Sequence, residues 1–307
     1  MTITIYRSTD GSAPTLTGQA GSLINVLDGC LVNGYGAKSS AGWTKAWAGT
    51  NLATYQQGAG TNGFFLAVDD TNAQNSRLRL FETAQATGVA SASGTNATPT
   101  DTQVSGGLYA YKSLVADGTA RPWTLFTNNK IIYFFWQYSG VTTTQQGIFF
   151  GDFVSYKYGD VYGTILVSNT AASATGTSIK IGVCSGSFTT VDAGWCVPRA
   201  WHQLAGAIQM SRCSDAFRSF NATEFGSNGE TYPSPVTSGI TLAPIWIGES
   251  GSGVRGHLSG LWAPMHARPL VHGDTFNGTG NLAGKTFEAV NIGNAGQLIL
   301  ETSDTWS

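Results

Sequence analysis

The sequence predicts a mainly β protein of antiparallel sheets or a β-sandwich, with one amphipathic helix near the N-terminus and a smaller N-terminal α+β part. Three observations predict it. Aromatic and β-branched residues gather in short runs such as Ile131 to Trp136, which suit a pleated, buried surface. Several runs alternate apolar and polar residues with period two. Only residues 22–33 repeat apolar side chains with the period of a helix. At 307 residues and 41% apolar content, the chain can bury a sizeable core.

The elements follow in order. Ile3 and Ile5 alternate toward Arg7 as a short strand, and Ser8 to Ala20, with Pro14, is a turn-rich connector. Leu23, Ile24, Leu27, Cys30 and Leu31 line one helix face, with Ser22 as N-cap and Gly34 or Gly36 as the stop. Trp43 to Gln57 is aromatic and mixed. Gly63 to Asp70 and Arg77 to Glu82 read as an antiparallel hairpin joined by residues 71–76. Ala84 to Gly107 is nearly all Ala, Ser, Thr, Gly, Asn and Gln, and cannot build a core of its own. It reads as a long loop closing the α+β part, residues 1–107. Residues 108–307 then form a β-rich, sandwich-like domain.

That second part opens on a hairpin, Trp123 to Thr127 and Lys130 to Tyr138, turned by Asn128 and Asn129. Gly147 to Tyr158 continues it, and Val161 to Ser168 adds a strand. Apolar residues on both sides of these runs place them centrally in the stack. Between 199 and 250 short strands alternate with turns, Ile240 to Gly248 being the clearest. Gly251 to Arg268 reads as glycine- and histidine-bearing loop. Lys285 to Val290 and Gln297 to Thr302 are the last two strands.

Charge is the unusual quantity. Only 11% of residues are Asp, Glu, Lys or Arg, against about 25% in an average soluble domain. The surface must be largely hydroxyl, amide and glycine, as in a chain packed against copies of itself. A secreted β-protein with a neutral surface fits the same composition. Net charge is −2 with no basic run, which excludes the footprint of a nucleic-acid binder. No apolar run is long enough to span a bilayer. The first residues lack the basic and apolar regions of a signal peptide, so synthesis in the cytoplasm is expected. Cys30, Cys184, Cys196 and Cys213 match no metal spacing. Free thiols are the expectation, although a Cys184–Cys196 bridge between neighbouring strands is compatible with the sequence.

Motifs that could carry chemistry have simpler readings. Gly58-Ala-Gly-Thr-Asn-Gly and Gly251-Ser-Gly-Val-Arg-Gly match GxGxxG, yet neither follows a buried strand and opens a helix. Ser250 and Ser252 lack the spacing of a nucleophile elbow and read as a tight loop. His257, His266, His272 and Asp274 read as loop residues, not metal ligands. Asp152, Asp160, Glu249 and Asp274 could serve a glycosidase only by facing each other in pairs across a cleft. Asp69, Asp70 and Asp160 fit turns, where Asp accepts from its own backbone. No catalytic residue, cofactor site or metal site is expected.

Several stretches are distinctive in wording. They are Gly34-Tyr-Gly, Gly42-Trp-Thr-Lys-Ala-Trp, Tyr55-Gln-Gln, Gly63-Phe-Phe-Leu-Ala-Val-Asp-Asp, Ala120-Arg-Pro-Trp and Phe149-Phe-Gly-Asp-Phe. Arg255-Gly-His-Leu-Ser-Gly-Leu-Trp-Ala-Pro-Met-His and Glu301-Thr-Ser-Asp-Thr-Trp complete the set. From Thr2 to Trp306 the chain thereby resembles a family of virion structural proteins of tailed bacteriophages, minor tail or tail-associated components. The resemblance implies a particle component of the tail or baseplate, arrayed as a trimer or hexamer ring with other virion proteins. It carries over no catalytic residues. The rival expectations are a glycan-binding receptor module at the tail tip, a head-decorating capsid protein, and a polysaccharide-degrading enzyme.

Overall fold

The computed structural model describes residues 3–85, 93–101, 104–138, 145–168, 195–196, 199, 201, 212–214, 238–249, 253–265, 270–291, 297–303 and 306. The chain opens with β1 (Thr4–Arg7) and helix α1 (Ser22–Leu27), which continues as a π-helical segment, Asp28–Asn33. Then come β2 (Thr44–Gly49), β3 (Leu52–Gln56), β4 (Phe65–Asp69), β5 (Asn75–Phe81), β6 (Thr83–Gln85), β7 (Ser93–Thr95) and β8 (Leu108–Tyr111). The middle of the chain gives β9 (Trp123–Thr127), β10 (Ile131–Gln137), β11 (Gln145–Asp152), β12 (Val154–Ser155), β13 (Thr164–Val167) and β14 (Trp195–Cys196). Last are β15 (Arg212–Ser214), β16 (Leu242–Glu249), β17 (Gly253–Pro264), β18 (Thr275–Asn277), β19 (Thr286–Asn291) and β20 (Gln297–Glu301).

The protein is mainly β, as the sequence predicts, with antiparallel sheets throughout. The central sheet runs β1-β9-β10-β11-β13-β14. A second sheet, β2-β3-β4-β5-β8, comes from the N-terminal part, and a third, β15-β16-β17-β20-β19-β18, from the C-terminal part, with β12 added on β17. β10 explains the stacking. Its Ile132, Phe134 and Trp136 enter a core shared with Leu23, Val26 and Leu27 of α1 and with Leu66 and Leu78 of the N-terminal sheet. Its Ile131, Tyr133 and Phe135 enter the other core, with Ile245, Leu258, Val290 and Leu298. Period-two alternation with both faces apolar therefore makes the central sheet the middle layer. Residues on both sides of position 107 share the first core, and β1 pairs directly with β9.

The two expected hairpins form as β4–β5 and β9–β10. At the second, Asn128 Oδ1 accepts from the backbone N–H of Lys130 and Ile131, at 2.8 and 3.0 Å, which closes the turn. Within the low-complexity stretch, β6 and β7 pair as a two-stranded ribbon.

Two expectations about the elements need correction. The helix is not capped by Ser22. Gly21 is the N-cap, at φ +81°, and the N–H groups of Leu23 and Ile24 donate to Asp70 Oδ2 at 2.8 and 3.3 Å. The Ser22 hydroxyl instead donates back to Thr17 O and Gln19 O. The segment from Gly251 to Arg268 is not loop over its described length, because residues 253–264 form β17, the longest strand among the described residues. Two of its glycines, Gly256 and Gly260, mark close approach rather than turns. A Cβ at Gly256 would lie 2.1 Å from Val154 O. One at Gly260, where φ is +72°, would lie 2.4 Å from the Trp306 ring.

Gly260→Ala is therefore expected to cost about 1–3 kcal/mol from backbone strain alone, before the ring is displaced. Chemical denaturation measures it. A midpoint unchanged from wild type would show that neither the strain nor the ring contact matters.

Candidate functional site

The motifs weighed in the sequence do not converge. Gly58–Gly63 connects β3 to β4, two neighbouring antiparallel strands, with no helix after it. In the second glycine motif, residues 253–256 begin β17. Positions 250–252 and His266 lie outside the described residues. His257 is a strand residue, correcting its loop reading, and its Nδ1 is 2.9 Å from the Tyr156 hydroxyl. His272 precedes β18, and burial holds its pKa below the usual histidine value. Among the described residues no group of three His, Cys, Asp or Glu is placed to hold a metal ion. Cys30 is buried and free, and burial raises its thiol pKa.

Of the carboxylates weighed in the sequence, Asp69, Asp70, Asp152, Asp160 and Asp274 each have partners of their own, and the Glu249 side chain lies outside the described residues. Asp152 accepts from Thr164 Oγ1 at 2.6 Å, Gln57 Nε2 at 2.9 Å and the Asn62 backbone at 2.7 Å. Burial raises its pKa against these bonds. Asp274 accepts from the Val271 N–H and Asp69 from Thr71, both local turns. Asp70 departs from the turn reading. It is fully buried, paired with the equally buried Lys112, and receives Ser76 Oγ at 2.6 Å besides the two helix N–H groups.

The second fully buried ion pair, Arg255 with Asp160, organises the most distinctive surface. Arg255 Nε and Nη2 each donate to Asp160 at 2.7 Å, one to each carboxylate oxygen. Ser155 Oγ donates to the same carboxylate at 2.7 Å, and the Tyr162 N–H at 3.1 Å. Burial works against the charged Asp160, yet Arg255 and Ser155 outweigh it and hold the pKa below the usual carboxylate range. The remaining guanidinium edge donates to Arg199 O at 2.7 Å. Through Tyr156, whose N–H donates to Arg255 O at 2.7 Å, the 153–163 loop is tied to β17.

This braced loop displays apolar groups instead of hiding them. Tyr158 is fully exposed, Tyr156 is 55% exposed, and Val154 and Val161 of the same loop are exposed, as is Val254 at the start of β17. Scattered exposed apolar residues are ordinary, but here Val154, Tyr156, Tyr158 and Val161 are all exposed within one short braced loop. A rigid loop loses little conformational entropy when it meets a partner. Sequence reasoning missed the ion pair because its members are 95 positions apart. The signal available was an isolated Arg between glycine and valine in a charge-poor chain.

A scan against protein-family models finds no match, and a search of curated proteins finds none.

Proposed function

We propose that the chain is a non-enzymatic structural subunit of a tailed-phage virion, placed in the tail or baseplate and acting through protein–protein assembly. The carrying observation is the exposed Tyr156, Tyr158 and valine surface on a loop locked from beneath by Arg255 and Asp160. The use of charge supports it. At least nine of the 16 Lys and Arg residues are engaged in ion pairs. The outer surface is therefore more neutral than the composition alone implies. β2, an edge of its sheet, carries one charged side chain, Lys45, and its ammonium is 2.8 Å from Asp28. Edges guarded so lightly by charge suit coverage by sister chains or other virion proteins.

Mass spectrometry of purified particles tests the placement, and the chain's absence from intact virions would end the proposal. A Tyr158→Ser variant tests the surface. Its folding stability should stay within about 0.5 kcal/mol of wild type, as at other exposed positions, while its incorporation into particles falls. Normal incorporation would remove the loop from the assembly interface.

A further inference from the structure

We infer that the cleft between β1 of the central sheet and the turn before β18 is a binding site for one ring of a neutral, hydroxyl-rich ligand, a monosaccharide unit of a glycan. This goes beyond the assembly reading and does not rest on it. The cavity measures about 180 Å³ and is lined by Arg7, Thr9, Thr124, Phe135, Gln137 and His272, among others. Pockets for drug-sized ligands run to about 300–1,000 Å³, so this one suits a single ring. Strand register builds it. Arg7 lies opposite Thr124, and Thr124 opposite Phe135, so the three sit side by side across β1, β9 and β10. The far wall is fixed too, because the Gly273 N–H donates to Ala289 O at 2.8 Å and ties the His272 turn to β19.

Electrostatics selects the ligand class. Arg7 makes a two-pronged ion pair with Glu288, at 2.9 and 2.5 Å. Glu288 is almost wholly buried, whereas the Arg7 side chain stays 37% exposed. The guanidinium is thus held in one orientation and its charge is balanced. An anion gains little from a cation already neutralised at this range. His272, whose pKa burial lowers, adds a neutral imidazole. What remains is a mixture of donors and acceptors from Thr9, Thr124 and Gln137 beside the exposed Pro122 ring, the Phe135 ring being buried in the core beneath. Sugar hydroxyls both donate and accept, and the C–H face of a sugar ring packs on apolar carbon.

Saturation-transfer NMR and calorimetry on the full chain test this with glucose, galactose and N-acetylglucosamine as neutral probes, and glucuronate and inorganic sulfate as anionic ones. Weak, millimolar binding of at least one neutral sugar is expected, with neither anion competing. Thr124→Val and Gln137→Ala, checked for an unchanged thermal midpoint, should each weaken it about tenfold or abolish it. Tyr158→Ser should leave it intact, which separates this cleft from the tyrosine loop and its failure from that of the assembly proposal. Absence of transfer to every neutral sugar, preference for an anion, or indifference to both cleft variants would overturn the inference.

Discussion

Replacing Lys112 with Met is expected to cost about 3–5 kcal/mol of folding stability, the range for breaking a buried ion pair from one side. The Lys112 ammonium donates to Asp70, to Gln19 O at 2.7 Å and to Asn72 O at 3.1 Å, so all three of its protons have acceptors. Burial pulls its pKa down and pushes that of Asp70 up. The pair is therefore held by hydrogen bonding and mutual attraction against desolvation. Met fills the volume but leaves a buried carboxylate and two carbonyls without this donor. Asp70 also receives the Leu23 and Ile24 N–H groups, so the damage should spread to the start of α1. Adding Asp70→Asn to Lys112→Met should recover part of the loss. It removes the uncompensated charge, and an amide oxygen can still accept from the helix. Urea denaturation of the single and double variants measures both steps. A single variant within about 1 kcal/mol of wild type would mean that the pair barely exceeds its desolvation cost.

The same residues show what was legible in the sequence. The hairpins β4–β5 and β9–β10 were readable because period two and local turn chemistry are short-range signals. The double-sided apolar run of β10 placed it in the middle of the stack for the same reason. Asp70 was misread because its neighbour Asp69 does form a local turn, while its own partner Lys112 is 42 positions away. β17 was misread because glycine signals a turn and a close approach with the same letter. Only the positions of Val154 O and Trp306 distinguish them. The tyrosine loop and the Arg7 cleft were not legible at all. Exposure of Tyr158 and convergence of Arg7, Thr124 and His272 are products of packing, not of spacing along the chain.

Arg255→Met should produce a comparable loss, about 3–5 kcal/mol at neutral pH, with a pH dependence of its own. Both side chains of the Arg255–Asp160 pair are fully buried. In the wild type the folded-state pKa of Asp160 lies below its ordinary value. The pair's contribution is therefore fully present above the unfolded carboxylate pKa, about 3.9. It is lost as pH falls through the lowered folded value. In the variant the sign reverses. Burial remains and the guanidinium is gone, so the Asp160 pKa should rise above the unfolded value and acid should relieve the buried charge. The stability gap between wild type and Arg255→Met is thus expected to be widest near pH 7 and to narrow as pH drops toward 4 and below. Denaturation series at several pH values measure it directly, and a gap constant with pH would mean that the lost guanidinium contacts, including the one 5.3 Å over the Phe153 ring, set the cost without any titration of Asp160. The variant also bears on assembly. With its brace removed, the 153–163 loop should lose its fixed presentation of Tyr156 and Tyr158. Particle incorporation should then fall further than for Tyr158→Ser, which removes one contact and leaves the loop's support in place.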